Sequence, residues 1–193
     1  GRPAAFEHKY DGFRVLIHRD LKGKVSLYTR KLENVTNQFP DVVKAVKENV
    51  KGRSFILDSE VVGYDSKAGK YKPFEAISQR IRRKYDIDKI IKELPVEVNV
   101  FDVLYLDGKS IMDLGFIERR KVVEKVIKRK EWVIRPSMQI VTSSDKDAEK
   151  FYRDALKIGE EGVMIKNVEA SYRSGRYVGY IAKLKPVASD LDL

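Results

Sequence analysis

The sequence predicts an α+β fold in which antiparallel sheets are flanked by helices, and three observations lead there. Strand-like alternation and helix-like spacing succeed one another without the regular βαβ order that a doubly wound parallel sheet requires. The first three strand-like segments are separated by tight turns, so the chain is expected to open as an antiparallel meander. At 193 residues, with no internal repeat and no low-complexity tract, the chain has the size of one domain, or of one domain with a small lobe.

Alternation predicts strands over residues 4–9, 13–19 and 24–30, joined by turns at Asp11-Gly12 and around Lys22-Gly23. Pro40 opens a helical pattern that sets Val42, Val43, Val46 and Val50 on one face and stops near Gly52. Residues 54–64 read as a strand and residues 65–72 as a turn. Residues 73–94 form a basic helical region, in which Phe74, Ile77, Ile81, Ile87, Ile90, Ile91 and Leu94 recur at helical spacing around Arg80, Arg82, Arg83 and Lys84. Pro95 closes it. Residues 96–106 are the best candidate for a buried strand. An Asp107-Gly108 turn, a helix over 117–130, short strands over 132–142 around Pro136, a helix over 145–158, and strands over 162–166 and 180–185 complete the reading.

Lysine and arginine number 39 against 29 acidic residues, a net charge of +10, which makes a polyanion the natural partner. Many lysine-rich domains carry the same bias without binding anything. The chain has no cysteine, so a disulfide framework, thiol catalysis and thiolate metal sites are excluded together. Its longest apolar runs fall far short of a membrane span, and no charged-then-apolar leader opens it, so a cytoplasmic setting without a membrane partner is expected. Gly1 lies directly before a strand-like stretch, and the chain stops at Ser189-Asp190-Leu191-Asp192-Leu193, where an alternating pattern has barely begun. Both ends are expected to continue into further polypeptide.

Five short stretches carry chemistry. Lys9-Tyr10-Asp11-Gly12 places a lysine where a strand ends in a tight turn, at the mouth of a cleft; alone, a hairpin turn with a solvated lysine is the commoner reading. Leu57-Asp58-Ser59-Glu60 puts two carboxylates on one side of a strand, either a polar outer face or ligands for Mg²⁺ or a ribose hydroxyl. Phe101-Asp102 lies in the most apolar strand, where Phe101 is either core or an aromatic floor for a purine. Glu161-Gly162-Val163-Met164-Ile165-Lys166 sets an acid at a strand start and an amine at its end. Lys183-Leu184-Lys185 puts two amines on one side of the last strand, as edge protection or as a cradle for an α-phosphate. Together they offer a nucleophile, metal-binding carboxylates, an aromatic platform and cations, the parts needed for nucleotidyl transfer.

In this order the set resembles the covalent nucleotidyltransferase superfamily, and its wording resembles the adenylation domain of ATP-dependent DNA ligases of the archaeal and eukaryotic type. Glu7-His8-Lys9-Tyr10-Asp11-Gly12-Phe13-Arg14 is similar to motif I of that family, and Tyr28-Thr29-Arg30-Lys31-Leu32-Glu33-Asn34-Val35-Thr36 to the arginine segment after it. The stretches around Asp58, Phe101, Glu161 and Lys183 are similar to motifs III, IIIa, IV and V. Ile181 departs from the pattern, since many members have tryptophan there.

The resemblance implies an ATP-grasp-like nucleotidyltransferase fold over residues 1–188, with 189–193 as a linker into an absent C-terminal OB-fold, and an absent N-terminal DNA-binding domain. Lys9 would carry AMP as a phosphoramidate, Glu7 would read adenine, and Arg14 and Arg30 would contact the sugar or phosphates. Glu60 would hold the ribose and, with Glu161, a metal; Phe101 would stack on adenine; Lys166, Lys183 and Lys185 would surround the α-phosphate; Arg176 would be a further nucleotide contact. The implied cofactors are ATP and Mg²⁺, with Mn²⁺ as a substitute. The implied partners are nicked double-stranded DNA, the two absent domains and a sliding clamp, and the implied location is cytoplasmic and nucleoid-associated, or nuclear in a eukaryote. Two other readings stand beside this one: an RNA ligase or mRNA-capping type of nucleotidyltransferase, and a non-catalytic nucleic-acid-binding module.

Overall fold

A computed structural model describes residues 1–174 and 181–186. In chain order the elements are β1 (Ala4–Lys9), β2 (Phe13–Arg19), β3 (Val25–Thr29), α1 (Pro40–Asn49), β4 (Phe55–Asp65), β5 (Lys70–Tyr71), α2 (Ser78–Ile81), α3 (Ile87–Glu93), β6 (Val96–Leu106), β7 (Lys109–Ser110), α4 (Phe116–Val126), β8 (Ile134–Pro136), β9 (Gln139–Thr142), α5 (Asp145–Lys157), β10 (Gly162–Lys166) and β11 (Ile181–Leu184). They build two sheets. One has the order β11-β10-β1-β9 and is antiparallel throughout; the other runs β3-β2-β4-β6-β7, with β5 added to β4 and β8 lying parallel to β6. The mixture of antiparallel sheets and flanking helices is the α+β class expected.

The opening meander is corrected by this topology. β2 and β3 pair as a hairpin, but β1 pairs with β9 and β10 in the other sheet. Asp11-Gly12 is therefore a crossing between sheets and not a hairpin turn. The crossing is tight: a Cβ placed on Gly12 would sit 2.1 Å from the Val61 carbonyl oxygen, so only glycine lets the chain pass over β4 there. The chain crosses back once more between β8 and β9, where Ser137 N donates to the Val100 carbonyl of one sheet and Met138 O accepts from His8 N of the other.

The main core lies on the larger sheet, where Val15, Ile17, Leu27, Leu57, Val98 and Val100 pack with Phe39, Val42 and Val46 at α1 and Val123 of α4. α4 stops at Val126, earlier than its apolar pattern predicts, because Ile127 turns extended and bridges Val50, tying the end of α4 to the end of α1. α5 packs against the smaller sheet; its Phe151 ring lies 4.8 Å from that of His8. Alternation along β1 turns Glu7 and Lys9 to the opposite face.

The basic region over 73–94 is not one helix. It breaks into a 3₁₀ turn (Phe74–Ala76), the four-residue α2, and α3, with Asp86 in the left-handed region at φ 54°. The break is built around Arg80, whose side chain is fully buried. Its guanidinium forms a bidentate pair with Asp41, donates to the carbonyls of Leu94 and Gln38, and stacks over Phe39. Arg80 is thus a structural arginine, unlike its exposed neighbours Arg82 and Lys84.

A polar layer lies beneath β1. Glu97 accepts from the Tyr71 hydroxyl and forms an ion pair with Arg135, and the Trp132 amide donates to its other oxygen. Beside it Glu160 is buried with neither carboxylate oxygen hydrogen-bonded among the described residues, 4.0 Å from His8 Nδ1. Burial pushes Glu160 up to about 9, an effect that Arg135 only partly offsets, and holds His8 down to about 4.

Two stability predictions follow from these groups. Arg80→Ala strands Asp41 and two carbonyls and should cost about 3–5 kcal/mol in urea unfolding, whereas Arg82→Ala should cost less than about 0.5 kcal/mol. For Glu160, the folded pKa exceeds the unfolded one, so folding loses stability as pH rises from about 4.5 towards about 9. Glu160→Gln should therefore raise stability at pH 7 by on the order of 2–3 kcal/mol, with the gain gone below about pH 4 in the same urea titration.

Candidate active site

Strand register brings the site together. In the smaller sheet Glu7 stands opposite Met164, Met164 opposite Lys183, Lys9 opposite Gly162, and Lys166 opposite Ile181. Because paired residues in adjacent strands share a face, Glu7, Lys9, Lys166 and Lys183 all project from one face of this sheet. In the larger sheet Arg14 and Glu60 are register partners on β2 and β4. Between the sheets lies a cavity of about 490 Å³, lined by these six residues together with Arg30, Phe101, Phe116, Arg119, Ser137 and Tyr172.

Phe101 reaches the cavity for a reason alternation does not give. Asp58 pairs with Asp102 and Ser59 with Val100, so Phe101 is the extra residue of a β-bulge in β6. A bulge re-aims one side chain out of an otherwise buried strand. Phe116 supplies a second ring. Lys166 Nζ lies 4.8 Å from the centre of the Phe101 ring and 4.9 Å from that of Phe116, and it forms an ion pair with Glu7. The structure therefore sets Lys166 at the aromatic end of the cavity, with Glu7. The Glu7 carboxylate is held further by Ser137 Oγ at 3.1 Å and Gln139 Nε2 at 3.0 Å.

Lys9 occupies the other end. Its amine pairs with Glu161, whose carboxylate also lies 3.7 Å from Lys185 Nζ. The Glu161 amide donates to the Lys9 carbonyl at 3.0 Å, which fixes the two residues across the strand pair. Gly162 makes the close approach of β11 feasible: its φ is 143°, and a Cβ there would sit 2.0 Å from the Leu184 carbonyl oxygen. Burial, followed by the charges of Lys185 and Lys183, holds the Lys9 pKa below its ordinary value, while Glu60 pulls the other way.

The carboxylates divide into two kinds. Asp58 is fully buried and committed to Arg14, with Nε to Oδ1 at 2.8 Å and a second contact from Nη2, and it accepts from the Tyr172 hydroxyl at 2.7 Å. Asp102 is locked to Arg119 at 2.8 and 3.1 Å. Glu60 makes no hydrogen bond or ion pair among the described residues, and burial and the Asp58 charge push it up to about 7 despite Arg14 and Lys9. A group in that state is stabilised by an incoming cation. Glu60 and Glu161, both beside Lys9, are hard oxygen donors suited to Mg²⁺, which takes one or two carboxylates and fills its octahedron with water and phosphate oxygens. Among the described residues no three His, Cys, Asp or Glu side chains cluster as potential metal ligands.

Of the residues singled out in the sequence, Glu7, Lys9, Arg14, Arg30, Glu60, Phe101, Lys166 and Lys183 line the cavity; Glu161 and Lys185 stand at its edge beside Lys9. Arg176 lies outside the described residues, as does the 189–193 linker. Phe116, Arg119, Ser137 and Tyr172 were not expected. Arg119 had a sequence signal, since Phe116, Arg119, Arg120 and Val123 recur at the spacing of a buried helix face, and a charge on such a face needs a buried partner.

Comparison with known proteins places this geometry. The family model for the ATP-dependent DNA ligase domain matches residues 1–185. A DNA ligase of Nanoarchaeum equitans is 54% identical over the whole chain, which spans 34% of that protein. Among solved structures, the ligase domain from M. tuberculosis LigD is 27% identical with a TM-score of 0.69, covering 95% of this chain and 55% of that one. A mycobacterial DNA ligase D complexed with ATP gives 27% and 0.68, over 95% of this chain and 54% of that one. The chain therefore spans about a third of the length of the curated relative it matches, and it belongs to the ATP-dependent DNA ligase domain family.

Proposed function

We propose that this chain holds ATP in the cavity between its two sheets and transfers AMP to Lys9, as the adenylation domain of a DNA-joining enzyme. The observation that carries the reading is the placement of Lys9 between Glu161 and the two cations Lys183 and Lys185, facing Glu60, Arg14 and Phe101. Adenine would lie at the aromatic end against Phe101, near Glu7. The ribose would face Glu60, and Arg14 and Arg30 would meet sugar or phosphate oxygens. Lys9, Lys183 and Lys185 would surround the α-phosphate. Lys166 sits nearer the base end, and reaching the phosphate would require it to release Glu7.

An ordinary lysine, with a pKa of about 10.4, is protonated at neutral pH and cannot attack phosphorus. Burial and the neighbouring ammonium groups favour the free amine of Lys9, and a proton leaves it before or during attack. Its lone pair then forms a P–N bond to the α-phosphorus while the bond to pyrophosphate breaks. Mg²⁺ bound through Glu60 and Glu161, or Mn²⁺ in its place, would neutralise charge on the phosphates. The residues around Lys9 contribute mainly positioning for in-line displacement.

In the longer enzyme, AMP on Lys9 would pass to the 5′-phosphate of a DNA nick, and the 3′-hydroxyl would displace it as the strand is sealed. Arg82, Arg83 and Lys84 would bind backbone phosphates without reading sequence, so binding should weaken steeply with salt. An N-terminal DNA-binding domain, a C-terminal OB-fold reached through residues 189–193, and a sliding clamp are the proposed partners. The 193-residue chain alone is expected to bind ATP, to adenylate itself slowly, and to seal nicks poorly.

Mass spectrometry after incubation with ATP and Mg²⁺ should find one AMP adduct, on Lys9, which Lys9→Ala abolishes; an adduct on another lysine sinks the assignment. GTP and NAD offered in place of ATP should give none. Because the Lys9 pKa is lowered, adduct formation should rise with pH and level off at a lower pH than an ordinary lysine would require. Lys185→Ala removes a neighbouring cation, so the Lys9 pKa should climb and the whole profile should move to higher pH. Initial rates between about pH 6 and 10 would test this, and an unmoved profile would remove Lys185 from that role.

A further inference from the structure

Residues 167–173 follow β10 and lie along the cavity, to which Asn167, Ala170, Ser171, Tyr172 and Arg173 contribute surface. Three contacts to the region around α4 pin this segment: Ile117 N donates to the Val168 carbonyl at 2.9 Å, Arg119 Nη1 to the Ala170 carbonyl at 3.0 Å, and Tyr172 N to the Met112 carbonyl at 2.8 Å. A fourth contact reaches the opposite sheet. The Tyr172 hydroxyl donates to Asp58 Oδ2 at 2.7 Å and accepts from Arg14 Nη2 at 2.9 Å.

We infer that Tyr172 is a positioning residue that aims the Arg14 guanidinium into the nucleotide cavity. A guanidinium has five N–H donors in a rigid plane. On Arg14 the Nε hydrogen goes to Asp58 Oδ1, and the two Nη2 hydrogens are divided between Asp58 Oδ2 and Tyr172. Both donors of Nη1 are left over among the described residues, and Arg14 lines the cavity. The Asp58 fork, anchored on a fully buried carboxylate, holds one edge of the group but leaves its plane able to rock about that edge, against a Phe101 ring whose centre lies 5.7 Å from Arg14 Cζ. The third corner at Tyr172, itself tied through its backbone to Met112, closes a triangle and removes that freedom. Nη1 is then the edge of Arg14 offered to a sugar or phosphate oxygen. The same hydroxyl ties the 167–173 segment to the larger sheet, so cavity wall and arginine are set by one contact.

This inference rests on the proposed nucleotide site, and a double-mutant cycle separates the two. Titration calorimetry with a non-hydrolysable ATP analogue and Mg²⁺ would compare the parent chain with Tyr172→Phe, Arg14→Ala and the pair. Tyr172→Phe keeps the ring and removes only the hydroxyl, so it should weaken binding roughly three- to tenfold. In the Arg14→Ala background the same change should do almost nothing, less than about twofold, because its effect runs through the arginine. A purely structural tyrosine would instead weaken both backgrounds equally. As a direct readout, the Arg14 Nε–H resonance in nitrogen-edited NMR should shift and exchange faster with water in Tyr172→Phe than in the parent. Equal losses in both backgrounds, or an unmoved Arg14 resonance, would overturn the role of Tyr172 while leaving the nucleotide site standing. A parent chain that binds no analogue would overturn the nucleotide reading and this inference with it.

Discussion

The passage of the backbone from one sheet to the other, over residues 10–12, is the constraint on which the rest of this structure depends. It requires Gly12, because the chain passes so close to the Val61 carbonyl that no side chain fits. It leaves Lys9 as the last residue of β1, still paired with Gly162 of β10 and with its carbonyl accepting from the Glu161 amide, so the backbone is held up to the point where the chain departs. The return crossing at Ser137 and Met138 lies beside it, and Tyr10 closes the gap by accepting the Met138 amide at its buried hydroxyl. Two crossings side by side produce a cleft between two sheet faces, and alternation along the strands decides which side chains enter it. A lysine held this way loses little conformational entropy on reaction, which a lysine on a surface helix could not offer.

Much of this was legible in the sequence. Strand and helix periodicities located β1, β2, α1, α5 and β10 closely, because each turns a regular face inward, and β4 and β6 were marked by apolar stretches, since both are buried along most of their length. The pairing partners of β1 were not legible. A strand followed by a short Asp-Gly turn reads as half of a hairpin, and only the close contact of Gly12 with a strand fifty residues away decides otherwise. The burial of Arg80 was not legible for a related cause. In a run of basic residues each has the same local signature, and the one that is buried is identified only by Asp41, Gln38 and Leu94, which come from other elements. The helical region expected over 73–94 is interrupted at the same place, where a buried guanidinium with four acceptors outweighs helical propensity.

For the candidate site, the residues that touch the cavity were readable from their types and order, while the residues that aim them were not. Phe101 shows the difference. Its place in an apolar strand allows core or platform equally, and the bulge that turns it outward depends on the register between β4 and β6. Tyr172 and Ser137 gave no pattern at all, because each acts through one hydroxyl across more than a hundred residues of chain. Long-range polar contacts of this kind leave no periodic trace.

The acidic groups around the cavity show how the fold separates support from chemistry. Glu7, Asp58, Asp102 and Glu97 are each buried and each already neutralised by Lys166, Arg14, Arg119 or Arg135. A buried ion pair contributes little net stability but fixes direction, and removing one partner is costly. These four pairs set the geometry and cannot be spared for a ligand without loss. Glu60 and Glu161 are different. Glu60 has no ion-pair partner among the described residues, and Glu161 shares two amines at a half-open edge. Lys9, Lys183 and Lys185 crowd together with fewer carboxylates than ammonium groups, an arrangement whose repulsion is relieved when an anion enters. The proposed nucleoside triphosphate with a divalent ion would supply the missing charge of both signs at once: phosphate for the lysines, metal for the carboxylates. The imbalance beside Lys9 and the completed pairs of Glu7, Asp58 and Asp102 around the rest of the cavity therefore point to the same place for the phosphate of the proposed nucleotide.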